Sequence, residues 1–305
     1  MAIAVHLLLL VIVPPLLLGI VNRTKAVFAG RRGAPVWQPY LELWRLLHKG
    51  AVYSRTTTWL FRASPIIGLA AALSAGLLTP LAGAKAPLGF AGDVILFAYL
   101  LGLGRFLTMT AALDTGSSFE GMGASREAAF SALAEPALFL ALAVVCIPAG
   151  SASFEHAWAA LPFGTWGPDH PALPAAAAAL FVVLLVENSR IPFDDPNTHL
   201  ELTMVHEVMV LDHSGPDFAF ILYGSAVKLF LFASLLIHLL LPVPPQVSWA
   251  SVGLFMGGLV AVGVAVGTVE SVTARIRLPR VPQFLIGASV IAALGLAVLL
   301  YRGMP

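Results

Sequence analysis

AIAVHLLLLVIVPPLLLGIVN, residues 2–22, carries no Asp, Glu, Lys or Arg and is followed at once by Arg23 and Lys25. A helix of this length rises about 31 Å, close to the thickness of a bilayer's hydrocarbon core. The stretch therefore reads as a transmembrane helix. A cleavable signal places its basic residues before the apolar core. Here Met1–His6 holds none and the basic residues come after. A retained first span with its N-terminus outside is expected.

The same pattern recurs outward along the chain. Eight spans are expected, near 2–22, 63–83, 92–114, 125–149, 172–190, 218–242, 249–270 and 282–302. The fold class is an all-α polytopic membrane protein, one transmembrane domain over 1–305. Composition agrees: 59% of residues are hydrophobic and 11% charged, against about 25% charged in soluble domains. A net charge of +1 gives no argument for nucleic acid. The single cysteine, Cys146, lies in an apolar run. An iron–sulfur cluster needs about four ligands, so no cofactor is expected in this chain and any redox centre belongs to a partner.

Basic residues fix the orientation. Arg23, Lys25, Arg31, Arg32, Arg45, Lys49, Arg55 and Arg62 lie between the first two spans, Arg190 after the fifth, and Arg275, Arg277 and Arg280 between the last two. The opposite side holds Lys85 and Arg302. Loops 23–62, 115–124, 187–217 and 271–281 are thus cytoplasmic and both termini outside. In the first loop, Tyr40, Leu43, Trp44 and Leu47 recur at helical spacing opposite Glu42, Arg45, His48 and Lys49, with Pro39 suited to a first turn. This reads as an amphipathic helix in the membrane interface; the alternative is a surface helix against a soluble partner. In the last third, Gly253/Gly257 and Gly263/Gly267 are spaced for close helix packing.

Ionisable residues intrude where lipid should be, which is costly and usually functional. Arg105 lies inside the third span and Asp114 near its inner end. Glu120, Arg126 and Glu127 surround the Gly-rich stretch 115–123, and Glu135 precedes Pro136 in the fourth span. Glu187, Lys228 and Glu270 follow in the fifth, sixth and seventh. Burial raises a carboxyl pKa toward the range of a proton carrier, which suits Glu135. Glu127 and Glu135 are about 12 Å apart along a helix, a distance for a short water chain. Lys228 is the counter-charge or the next carrier. Two readings stand: buried ion pairs that fix packing, and a hydrated polar path. Both signs spread over several helices favour the path.

The densest polar stretch is Glu187-Asn188-Ser189-Arg190-Ile191-Pro192-Phe193-Asp194-Asp195-Pro196. Glu187 and Arg190 are spaced to pair on one helix face. Pro192 and Pro196 end the helix. Asp194 or Asp195 is placed to cap a following short helix. His199, His206 and His213 repeat every seven residues, about 10 Å apart on a helix. One zinc ion needs ligands at about 2 Å, so the histidines are read as titrating groups or partner contacts.

This loop resembles subunit 1 of respiratory complex I and its relatives in membrane-bound hydrogenases. The family's Glu-x-x-Arg-x-Pro-Phe-Asp pattern is met by Glu187, Arg190, Pro192, Phe193 and Asp194. Glu201-Leu202 and Asp212-His213-Ser214-Gly215 follow, and the first loop matches through Arg31, Arg32, Gly33, Pro35, Trp37 and Gln38. Residues 113–119, 123–127 and 196–202 are similar to the hydrogenase branch, which includes the formate hydrogenlyase-type anchor. Quinone-reducing members carry more carboxylates where Asn197 and His199 stand here.

The resemblance implies a non-catalytic membrane-anchor subunit in the cell inner membrane. Its partners would be hydrogenase large and small subunits, an iron–sulfur subunit and antiporter-like membrane subunits. The nickel–iron site and iron–sulfur clusters would sit on those partners. Arg31, Arg32, Arg190, Asp194, Asp195, Glu201, Glu207 and Asp212 would form a docking and coupling surface, with either Glu207 or Asp212 in the family's acidic role. Arg105, Asp114, Glu120, Glu127, Glu135, Glu187, Lys228 and Glu270 would begin a proton or sodium path. The alternatives are a quinone-binding subunit, with the headgroup between the first span, the amphipathic helix and loop 187–217, and a stand-alone ion transporter.

Overall fold

The computed structural model describes residues 2–161, 171–194, 204–241, 243–244 and 246–303. Asp195 and Glu201, with Asn197 and His199, lie outside them. The helices are α1 (Ala2–Phe28), α2 (Gln38–Leu47), α3 (Trp59–Leu78), α4 (Asp93–Asp114), α5 (Ser118–Cys146), α6 (Phe154–Ala159), α7 (Ala172–Glu187), α8 (His206–Met209), α9 (Gly215–Leu240), α10 (Trp249–Val272) and α11 (Val281–Gly303). Among the described residues no strand forms, and seven stretches are long and apolar enough to cross a membrane: α1, α3, α4, α5, α9, α10 and Leu278–Tyr301. The expected fifth span is the shorter apolar helix α7, 16 residues or about 24 Å.

Helix α9 runs through the middle of the bundle. It packs against α1, α3, α7 and α10, and Phe230 and Phe232 are wholly buried. Helices α3, α4 and α5 follow one another around the outside, and α7 and α11 close on α5. Pro14 and Pro15 lie inside α1. A proline removes one helix donor and leaves the carbonyl four residues earlier unmet. Pro15 frees Val11 in this way, and Tyr223 of α9 donates its hydroxyl to that oxygen at 2.7 Å. Tyr40 of α2 donates to the neighbouring Ile12 carbonyl. These two bonds stitch α1, α2 and α9 together.

The small-residue pairs divide. A Cβ on Gly267 would lie 2.9 Å from the Val21 carbonyl oxygen, and one on Gly263 would lie 3.0 Å from Leu17, so this pair seats α10 on α1. A Cβ on Gly253 or Gly257 would meet nothing within 4 Å.

Helix α2 forms where expected, and its apolar face is wide enough to meet both the bundle and its surroundings. Pro39 is buried and Tyr40, Leu43 and Leu46 are half-buried toward the bundle, while Trp44 and Leu47 stay exposed.

The end of α7 departs from the sequence reading as well. The Arg190 N–H bonds the Leu185 carbonyl at 2.8 Å and the Ser189 N–H bonds that of Val186 at 3.0 Å. Ser189 is left-handed, with φ +50. This is a Schellman stop that uses serine where glycine is usual. It ends the helix at Glu187, before Pro192 can, and turns Arg190 away. The expected Glu187–Arg190 pair therefore does not form, and each residue finds other partners.

Candidate functional site

At that stop the Glu187 side chain is nearly buried, 7% exposed. Arg105 of α4 donates one guanidinium nitrogen to it, and Lys228 of α9 approaches its other oxygen at 3.2 Å. The second guanidinium nitrogen of Arg105 bonds Glu135 of α5 at 2.7 Å. A continuous line Glu135–Arg105–Glu187–Lys228 thus crosses four helices. Arg105 is 8% exposed, whereas Glu135 is 50% exposed. Glu135 therefore lies on the rim of the bundle, a correction to its expected place in the interior.

A cavity of about 100 Å³ opens beside this line, walled by Arg105, Glu127, Glu187, Lys228 and His206 with apolar residues such as Leu101. At roughly 30 Å³ per water it has room for about three molecules. A smaller cavity, about 10 Å³, lies behind it against Glu127, Glu187, Ser131 and Asp194. Glu127 and Glu187 border both. Glu127 and Glu135, expected to need a water chain between them, are also bridged electrostatically by Arg105, which feels both carboxylates and Glu187. Three carboxylates, Glu127, Glu135 and Glu187, face two cations, Arg105 and Lys228. The group is neutral only when it holds one proton more.

Asp194, expected on a docking surface, is buried at 4% exposed. Its carboxylate accepts the His206 backbone N–H at 3.0 Å and pairs with Arg275 at 2.7 Å. It thereby ties loop 187–217 to loop 271–281. Arg190 is also buried and reaches Glu270 at 3.5 Å. Glu270 pairs with Lys25 at 2.7 Å. Lys25, Glu270 and Arg190 thus form a second network, at the C-terminal ends of α1 and α10. Arg31, Arg32 and Asp212 are exposed, Glu207 is half-buried, and Arg126 donates to the Met204 carbonyl at 2.9 Å.

Asp114 binds α3. Its Oδ2 accepts from the Thr58 backbone N–H at 2.7 Å and from the Thr58 hydroxyl at 3.0 Å. It holds the N-cap of α3 from the end of α4. Loss of such a cap costs about 1 kcal/mol. Asp114→Ala is expected to lower stability by that amount and to leave ion coupling intact, as read by thermal unfolding in detergent and by ion uptake into vesicles. Glu120 is buried, in the first turn of α5, with Asp212 nearby.

His206 and His213 do not share a site. His206 borders the large cavity, and His213 stacks on Phe61 with ring centroids 3.9 Å apart. Burial holds both imidazoles down at about 4, helped at His206 by Lys228 and Arg190. The unfolded chain takes up these protons near 6.5. The stability gained from neutral, buried imidazole is therefore full above pH 6.5 and is lost as pH falls toward 4. Linkage puts the loss at up to roughly 3 kcal/mol for each histidine. Unfolding midpoints at pH 7.5 and 4.5 test this, and His213→Phe should flatten part of the slope.

Two ion partners, Lys25 and Arg275, were not singled out by the sequence, and neither was the Ser189 stop. Lys25 and Arg275 served there only as markers of orientation.

A family model described as NADH dehydrogenase matches residues 1–301. Hydrogenase-4 component C of Escherichia coli (strain K12) is 33% identical over 234 residues, 77% of this chain and 73% of that protein. Formate hydrogenlyase subunit 4 of the same organism is 30% identical over 285 residues, 92% of each chain. An NADH-quinone oxidoreductase subunit of Anaplasma phagocytophilum (strain HZ) is 26% identical over 219 residues, 67% of this chain and 63% of that one. In fold, the chain is similar to one in the structure of the membrane-bound sulfane sulfur reductase, an archaeal respiratory membrane complex. The TM-score is 0.84 over 98% of both chains, at 22% identity. The multi-span bundle, the Glu187–Asp194 loop and these similarities lead to one identification: the chain belongs to the NADH dehydrogenase family, that of complex I subunit 1.

Proposed function

We propose that this chain is the membrane anchor of a hydrogenase complex related to complex I. It docks the peripheral redox arm and couples electron transfer there to movement of protons or sodium ions. The observation that carries the reading is the Glu135–Arg105–Glu187–Lys228 line with its cavity, backed by Asp194 from the cytoplasmic loop. The higher identity to hydrogenase-4 component C and formate hydrogenlyase subunit 4 than to the NADH-quinone oxidoreductase relative favours a hydrogenase partner over a quinone reductase.

In this reading the nickel–iron site and iron–sulfur clusters reside on the large, small and iron–sulfur subunits. Exposed Arg31, Arg32 and Asp212 meet that arm, together with Asp195 and Glu201. A displacement of loop 187–217 moves Asp194 and His206 at the back of the cavity and changes which of Glu127 and Glu187 holds the extra proton. Arg105 passes the change to Glu135. That residue, half exposed at the rim, faces the antiporter-like membrane subunits. The protein lies in the cell inner membrane with both termini outside.

A quinone-binding role is the second reading, favoured by the relationship to the NADH-quinone oxidoreductases. Purifying the complex separates the two. Hydrogen evolution, with a large subunit carrying two Cys-x-x-Cys pairs, is the expected result. Quinone reduction by a complex without those pairs would overturn the proposal, as would a single subunit that transports ions alone.

A further inference from the structure

One stripe of α2 stays largely exposed, with only His48 stacked against its Trp44. Pro39, Tyr40, Leu43 and Leu46 turn toward the bundle, but Trp37, Leu41 and Trp44 are 62%, 54% and 66% exposed. The position of the helix along α1 says what meets this stripe. The Val36 carbonyl lies directly against Gly19 of α1, leaving no room for a Cβ. From Ala2 to Gly19 a helix rises about 26 Å. Hydrocarbon extends for about 30 Å, so α2 leaves α1 where acyl chains give way to headgroups. Tryptophan favours that depth.

Charge narrows the occupant further. Arg45 and Lys49 stand four residues apart on the exposed edge beside Trp44, and neither pairs with a carboxylate among the described residues. Between Arg23 and Arg62 the one acidic residue is Glu42, whose carboxylate accepts from Gln38 at 3.5 Å. A surface with apolar tryptophans below and two unmatched cations above is complementary to an anionic phospholipid.

We propose that α2 is a lipid-selecting anchor. Trp37, Leu41 and Trp44 seat in the acyl boundary, and Arg45 and Lys49 hold the phosphate of an anionic phospholipid such as phosphatidylglycerol. Arg31 and Arg32 remain available to the peripheral arm. The inference rests on the geometry of α1 and α2 and not on which redox partner the complex carries.

The test uses the full chain in nanodiscs, with Trp59, Trp158, Trp166 and Trp249 changed to Phe so that Trp37 and Trp44 report. Brominated phosphatidylglycerol should quench them more strongly than brominated phosphatidylcholine at equal mole fraction. The preference should fall by about fivefold for each cation removed in Arg45→Gln and Lys49→Gln, and should shrink in high salt. If neither lipid quenches, protein covers the face and the proposal fails. Equal quenching by both lipids, or a preference unchanged in the double variant, overturns the selectivity. If the tryptophan-reduced chain does not fold, spin-labelled lipids on the otherwise native chain give the same comparison. An immobilised fraction no larger for phosphatidylglycerol than for phosphatidylcholine sinks the idea there.

Discussion

Glu187→Gln in the assembled complex is expected to stop ion movement while redox turnover continues. In the proposed function the wild-type group, three carboxylates against two cations, is the one that holds a proton that can leave. With glutamine, Glu127 and Glu135 balance Arg105 and Lys228, and no labile proton remains. The amide keeps the volume, and its single oxygen still accepts a hydrogen bond from one of the two cations that Glu187 holds on separate oxygens. Glu187→Ala is expected to do more damage, because it takes the ion-pair partner of Lys228 and one of the two partners of Arg105. Removing one partner of a buried ion pair costs about 3–5 kcal/mol. The double variant Glu187→Ala/Lys228→Met should recover part of that loss, since Lys228 is removed and Glu135 still pairs with Arg105. Thermal unfolding in detergent reads the stability, and ion uptake alongside turnover in vesicles reads the coupling. Uptake by Glu187→Gln at the wild-type ratio to turnover would remove Glu187 from the path.

Glu270→Ala is expected to be nearly as destabilising, for a different reason. Its carboxylate is fully buried between Lys25 and Arg190, so alanine leaves two cations facing each other at the C-terminal ends of α1 and α10. The expected loss is again about 3–5 kcal/mol. The triple replacement Lys25→Met/Arg190→Met/Glu270→Leu should regain most of it, because buried ion networks are often matched or bettered by apolar residues of similar size. If Glu270 only fastens helices, the triple variant still couples ions. If coupling is lost while stability is restored, Glu270 belongs to the path after all. This experiment separates the two roles that the sequence left side by side.

Legibility in the sequence differed from residue to residue. Arg105, Glu187 and Lys228 stood out because a charge inside an apolar run is expensive, and the fold does bring them together. Asp114 stood out for the same reason, yet it proved to be a helix cap. Its distinguishing partner, Thr58, is 56 residues away and leaves no local trace. Glu135 and Glu127 share one helix, but nothing local says that one reaches the rim and the other a cavity. Asp194 looked like a surface acid because it lies in a polar loop; its burial depends on Arg275, in another loop.

The sequence by itself determined the membrane class, the helical spans and the family. Each of these rests on short-range information: run length, charge bias and a contiguous loop motif. The tertiary structure alone decided which charges meet. Glu187 and Arg190 are neighbours in the chain, yet they serve different networks because Ser189 turns the backbone between them. Lys25 and Glu270 are far apart in the chain and become partners because α10 seats its glycines on α1. Pairing energy depends on distance in space, and a sequence fixes such distances only within a helix.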